Sequence, residues 1–190
     1  MKAREFFARL VPFRNFCSID SIGLSTGLLI AWNPYLANLM SCLTSAGILL
    51  HGVIKDLNMV VNVINIYGSY ANHQELIQDL IDKDGILEIP NLILGGDFNF
   101  TLSTREVLGS HSYLDPSTDF FPKLFVDHNL MDVIPNPCCP TWKNGRYGDA
   151  GIAKCLDRFF IDEHIAGNLS DIDPRFSMMG YLITTPLFYN

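Results

Sequence analysis

The segment Leu92-Ile93-Leu94-Gly95-Gly96-Asp97-Phe98-Asn99 sets a carboxylate and an amide two residues apart, behind an apolar run and a glycine pair. On extended backbone, side chains two apart share one side. Glycines accept positive φ and let a ligand approach the backbone closely. A carboxylate orients or deprotonates water, and an amide donates to a phosphate oxygen. A strand-ending turn uses the same residue types with no chemistry at all. The octamer by itself is compatible with both readings.

Two further segments carry groups of the same kind. Asn65-Ile66-Tyr67-Gly68 closes an apolar run, where the Tyr67 hydroxyl either donates to phosphate or belongs to an ordinary core-edge tyrosine. Thr141-Trp142-Lys143-Asn144 precedes Cys155-Leu156-Asp157-Arg158-Phe159-Phe160-Ile161. An acid in such an apolar run needs a partner, a histidine or arginine that it orients, or else it lies at the surface beside Arg158. Lys143, Arg146, Lys154 and Arg158 bracket Trp142 and offer phosphate contacts, with a solvated loop as the plainer reading. The five histidines, His51, His73, His111, His128 and His164, show no metal-ligand spacing with one another. The position of His128 at a helix end suits a surface or capping role.

The elements that must position these groups follow from hydrophobic period and punctuation. Phe6, Phe7 and Leu10 against Arg4 and Arg9 predict a helix over 3–10. Strands are expected over Phe16–Asp20, Gly27–Trp32, Ala46–Ile54 and Met59–Tyr67, the last two as a hairpin turning at residues 55–58. Gln74–Asp82 has a helical stripe with Asn72 as N-cap. A short strand Asn91–Leu94 leads into the glycine pair. A helix over Ser117–Asn129 buries Phe120, Phe121, Leu124 and Phe125, with Pro122 in its first turns, where proline is tolerated. Thr141-Trp142 and Leu156–Ile161 are late strands. The order predicts an α/β or α+β domain with stacked sheets.

Composition sets the outer limits. With 190 residues, 48% hydrophobic and 17% charged, the chain buries enough apolar surface for one folded domain over residues 1–190 and is too short for two ordinary ones. Mean hydropathy is +0.20. Yet the longest apolar runs, Ile22–Trp32 and Leu43–Val53, fall short of the roughly 18 residues of a membrane span. They read as buried strands, so no membrane partner is expected. Net charge is −7, which weighs against tight non-specific nucleic-acid binding. Five cysteines without C-x-x-C spacing read as reduced thiols of an intracellular protein. Residues 1–16 lack the apolar stretch of a secretion signal.

Taken in order, five stretches resemble the endonuclease/exonuclease/phosphatase superfamily, and more narrowly the endonuclease domain of plant LINE-type (non-LTR) retrotransposons. They are Gly23-Leu-Ser-Thr-Gly-Leu-Leu-Ile-Ala-Trp32, Val63-Ile-Asn-Ile-Tyr67, Gly95-Gly-Asp-Phe-Asn99, Thr141-Trp-Lys-Asn144 and Leu156-Asp-Arg-Phe159. The resemblance implies a four-layer α/β/β/α sandwich of two stacked mixed sheets, Mg²⁺-dependent phosphodiester hydrolysis, a DNA partner nicked to prime reverse transcription, and a nuclear location. Carried over by position, Tyr67 contacts phosphate, Asp97 aligns or activates water, Asn99 binds a phosphate oxygen, and Asp157 orients a catalytic histidine. Trp142 and Asn144 join Tyr67 and Asn99 as substrate contacts.

The pattern also departs from the family. Where the family carries S-D-H-x-P, this chain has Leu182, Ile183 and Thr184 before Pro186. Isoleucine ligates no metal, and threonine does not titrate near neutral pH. The family's upstream Asn and metal-binding Glu have no counterpart before Phe16. The expectation is a sandwich incomplete at its N-terminus, without bound Mg²⁺, with weak or no DNA affinity, negligible activity, and self-association through exposed sheet edges. The alternatives are an active Mg²⁺-dependent nuclease or phosphatase using substitute residues, and a non-catalytic nucleic-acid binder.

Overall fold

Runs of leucine, isoleucine and valine form the centre of the molecule because they bury both faces of a strand. The computed structural model describes residues 13–20, 27–45, 47–68, 78, 81, 85–109, 118–133, 139–169 and 182–187. A first sheet has the order β1 (Asn15–Ile19), β2 (Gly27–Trp32), β12 (Leu182–Leu187), with antiparallel pairing throughout. A second sheet runs β3 (Ala37–Leu43), β4 (Gly47–Ile54), β5 (Met59–Tyr67), β6 (Leu92–Asp97), β11 (Asp157–Asp162), β8 (Leu130–Asp132). In it β5 and β6 are parallel and the other neighbours antiparallel. A small third sheet joins β7 (Val107–Leu108), β10 (Ala153–Lys154) and β9 (Trp142–Lys143). The α-helices whose bounds are described are α1 (Phe120–Asp127) and α2 (Glu163–Leu169).

Alternation along the strands sorts side chains between two cores. Val61, Val63 and Ile93 meet Leu28, Ile30 and Trp32 of β2 between the two large sheets. Ile64, Ile66, Leu92 and Leu94 turn the other way, toward Phe121 and Phe125 of α1. Helix α1 buries this stripe as its 3.6-residue period requires, with Pro122 in its first turn. The second core is strongly aromatic. Phe100 stacks on Phe121 at 3.8 Å and Phe125 on Phe160 at 3.9 Å, while Phe98 meets Phe160 edge-on. Each such pair adds about 0.5–1.5 kcal/mol beyond area burial. One polar group pins the sheets together: Asn65, 1% exposed, donates from Nδ2 to the Leu29 carbonyl of β2 at 3.0 Å.

The result is the α/β sandwich of stacked sheets expected from the sequence. The hairpin β4–β5 turns at residues 55–58 as anticipated. The helix expected over 3–10 lies outside the described residues. That over 74–82 is described only at Gln78 and Ile81, both helical, with Ile81 packed on the aromatic core. Three points differ. β3, β12, the short strands β7, β8 and β10, and α2 go beyond the sequence expectation, since Ala37–Leu43 shows no clean alternation, Pro186 sits inside β12, and strands of two or three residues carry no period. The described strands of the first sheet pair antiparallel rather than mixed.

The third difference bears on the site. β6 does not stop at Leu94 but continues through Gly95, Gly96 and Asp97. A Cβ on Gly95 would lie 2.6 Å from the Phe159 ring, and one on Gly96 2.0 Å from the Ile66 carbonyl oxygen. The glycines therefore let β6 fit between β5 and β11, and the chain turns only after Asp97.

Candidate functional site

Tyr67, Asp97 and Asp157 come from three neighbouring strands and stand in one row. Tyr67 pairs with Asp97 across the parallel β5–β6 ladder, and Asp97 with Asp157 across the antiparallel β6–β11 ladder. Side-chain alternation puts the three on the face that carries Ile93 and Phe159, toward the first sheet. The row sits at the end of β6, where the Gly68 N–H donates to the Asp97 carbonyl at 2.6 Å and the chain leaves the sheet.

Asn99 follows in the left-handed region at φ 56°, which asparagine tolerates better than most residues. Its N–H donates to Asp97 Oδ1 at 2.9 Å, and its side-chain amide donates to the Gly68 carbonyl. The turn reading of the octamer thus holds from Asp97 onward, and the same turn brings Asn99 beside the row.

Burial is the first reason why the Asp97 carboxyl titrates above its ordinary value. The Asn99 N–H opposes that rise, and the negative Asp157 adds to it. Because the folded-state value lies above the unfolded one, protonation favours the fold. Ionised Asp97 therefore costs stability above the raised value, and the cost disappears below the free-Asp value of about 3.9. Asp97→Asn keeps an oxygen to accept the Asn99 N–H and removes the charge. Its melting temperature is expected to exceed that of the wild type at pH 7, with the difference closing as the pH falls toward 3.9. Thermal melts across that range decide it, and a variant less stable than wild type at pH 7 contradicts the assignment.

Asp157 is exposed and is held through its backbone. Thr141 Oγ1 accepts N–H bonds from both Leu156 (3.0 Å) and Asp157 (3.1 Å), tying the start of β11 to the residue before β9. The sequence had marked Thr141 only as part of a motif. The signal available there was a hydroxyl next to an aromatic in an otherwise apolar stretch, too common to single out.

Arg158 corrects the sequence reading. It points to the opposite face from Asp157 and is 6% exposed. Its Nη1 donates to Asp132 Oδ2 at 2.6 Å, and its Nη2 makes an ion pair with Glu106 Oε2. Residues on either side of a strand position alternate faces, so Arg158 is neither a neighbour of the Asp157 carboxylate nor part of a basic surface. Trp142, 39% exposed, lies on β9, paired with Lys154. The Asn144 side chain organises its own loop: Oδ1 accepts from Arg146 and Ile152, and Nδ2 donates to Ala150. Beside it Lys143, Arg146 and Tyr147, the last 95% exposed, line an open hollow.

Among the described residues, no histidine joins the row. His51 binds Asn62 Oδ1 at 2.7 Å near the other end of β5, and His128 caps α1 with Nδ1 3.1 Å from Glu88. His73 and His111 lie outside the described residues. Ile183 and Thr184 stand opposite Ala31 and Ile30 on β2. Mg²⁺ requires near-octahedral oxygen ligation. The row offers two carboxylates, one of them bound to Asn99, and among the described residues no three His, Cys, Asp or Glu cluster to hold a metal. Mg²⁺ bound together with waters and substrate phosphate takes one or two carboxylates, and Asp97 and Asp157 are the groups of the row that would hold it. Among the described residues no helix is long and apolar enough to cross a membrane.

No protein-family model and no curated protein sequence matches the chain. Two solved structures of TDP2 from Caenorhabditis elegans are similar to it. A truncated form aligns with TM-score 0.52 and 12% identity over 82% of this chain and 65% of its own. Another aligns with the same score and identity over 82% of this chain and 50% of its own. The chain thus spans less than two thirds of either. At this identity the likeness establishes the fold, the mixed α/β sandwich of stacked sheets.

Proposed function

We propose that this chain is, by descent, the endonuclease domain of a LINE-type retrotransposon, a single domain built to bind DNA across its phosphodiester backbone, and that it no longer cuts. What supports the descent is one observation: Tyr67, Asp97 and Asp157 share a single row across β5, β6 and β11, with Asn99 turned back beside them. These are the four positions to which the sequence resemblance gives phosphate contact (Tyr67, Asn99), activation of water (Asp97) and orientation of a histidine (Asp157). A tyrosine hydroxyl and an amide both donate to phosphate oxygens. The amide nitrogen carries two hydrogens, so its bond to Gly68 leaves a second for the ligand. Asp97, with its raised affinity for a proton, suits the acceptor of a water proton.

Two features support the loss of cutting. The motif position of the histidine on β12 is Thr184, so Asp157 has no imidazole to orient there. A positioned acid–base group contributes about 10²–10⁴-fold to rate. A catalytic metal contributes several kcal/mol more, and among the described residues no third His, Cys, Asp or Glu joins Asp97 and Asp157 to hold one. Supercoiled plasmid incubated with the purified chain and Mg²⁺ or Mn²⁺ is expected to show no more nicking than with Asp97→Ala. Nicking that Asp97→Ala abolishes would overturn the reading.

A further inference from the structure

We infer that β3 is a homodimer interface, at which a second copy of this chain adds its own β3 antiparallel about Ser41. The hydrogen bonds flanking β3 set its polarity. Thr44 donates its N–H to Gly47, and the Lys55 N–H donates to Leu36. In an antiparallel ladder, bonded pairs recur every second residue. The even-numbered residues of β3 therefore face β4, and Leu39, Ser41 and Leu43 direct their N–H and C=O groups to the other side. On that side no strand pairs with β3 among the described residues.

An edge of this kind normally carries a charge, a proline or a bulge that discourages pairing. Ala37-Asn38-Leu39-Met40-Ser41-Cys42-Leu43 has no charge and no proline, and its register with β4 is unbroken. Three of its apolar side chains are uncovered: Met40 is 71% exposed, Leu43 64%, and Cys42 is exposed as well.

The segment is complementary to itself. With Ser41 opposite Ser41 of the second copy, the outward groups of Leu39, Ser41 and Leu43 all find partners. Leu43 of one copy then lies beside Leu39 of the other. Leu39 is part of the core between the two large sheets, so the pairing extends that core across the junction. Met40 falls opposite Cys42 on the outer face. A strand without charges gives a charged peptide nothing to read. For two chains of net charge −7, it also brings no like charges opposite each other within the strand.

Sedimentation velocity of the whole chain at micromolar loading is expected to show a dimer. Ser41→Lys, which sets two cations against each other at the axis, is expected to give a monomer that still melts cooperatively, at a temperature that no longer depends on protein concentration. A second variant does not depend on disrupting the edge. Met40 and Cys42 of the two copies form a non-hydrogen-bonded pair, with Cα atoms about 4.5 Å apart. That separation lies within the roughly 4.4–6.8 Å that disulfides span. Met40→Cys is expected to form an interchain disulfide dimer on oxidation, well above the wild-type background. Asn38→Cys, which falls opposite Thr44, is expected to stay near that background. A monomer at every loading, a dimer untouched by Ser41→Lys, or equal cross-linking of Met40→Cys and Asn38→Cys each overturns the proposal. The proposal stands independently of the nuclease reading, since none of these measurements involves DNA.

Discussion

Gly96→Ala is expected to lower the stability of the fold by about 3–5 kcal/mol, a large part of the roughly 5–15 kcal/mol that holds an ordinary domain together. Two effects coincide at this position. Gly96 has φ 139°, where a side chain is strained, and such strain costs about 1–3 kcal/mol. The new Cβ would sit 2.0 Å from the Ile66 carbonyl oxygen and 3.1 Å from Asn65 Oδ1. The first contact is with backbone in the middle of the sheet and cannot be relieved by a rotamer change. Forcing it apart costs about 1–3 kcal/mol more. Gly85→Ala supplies the control: its φ is also positive, at 58°, but nothing lies within 4 Å of the added carbon, so only the strain applies. Urea denaturation of both variants separates the effects. If Gly96→Ala loses no more than Gly85→Ala, β5 and β6 do not approach each other as described.

Arg158→Met is expected to cost about 3–5 kcal/mol at neutral pH, because it leaves buried carboxylates without their cation. Asp132 and Glu106 both face the guanidinium. Glu106 also accepts the Leu102 N–H at 2.7 Å, so the loop before β7 is anchored through the same group. The Asp132 carboxyl titrates above its ordinary value, chiefly through burial, with Arg158 pulling it down and Glu106 pushing it up. Without Arg158 that value rises further. The folded variant then takes up protons more readily than the unfolded chain, and its deficit shrinks as the pH is lowered. Replacing Arg158, Asp132 and Glu106 together by apolar residues of similar volume is expected to recover most of the loss, as the charges disappear as a set. Denaturation of the single and triple variants at pH 7 and pH 5 tests this. A triple variant as unstable as Arg158→Met, or a single-variant deficit independent of pH, contradicts the role given to the ion cluster.

Both predictions concern residues whose types were visible in the sequence and whose reasons were not. Gly95 and Gly96 read there as turn formers, and the sheet uses them as gaps for Phe159 and the Ile66 carbonyl. Arg158 read as a surface cation next to Asp157, and alternation along β11 sends it into the core. Asn144 read as a substrate contact, and its amide holds its own loop closed. For the glycines and Arg158 the deciding neighbours are distant in sequence, and no local pattern carries their position.

What the chain determines by itself is therefore its local grammar. Gly27–Trp32, the hairpin around residues 55–58 and the Phe121/Phe125 stripe of α1 follow from periods of 2 and 3.6 and from turn chemistry, which act within a few residues. The site's residue types, a tyrosine closing a strand and a carboxylate after a glycine pair, are likewise legible, but the extension of β6 to Asp97 is not. The tertiary structure alone decided that Tyr67, Asp97 and Asp157 share one row, that β3 forms an edge, and that β12 closes on β2. The β5–β6 and β2–β12 pairings join residues 30 and 150 or more positions apart. Their register is selected by how all the buried faces pack together, and that is a property of the whole fold rather than of any segment.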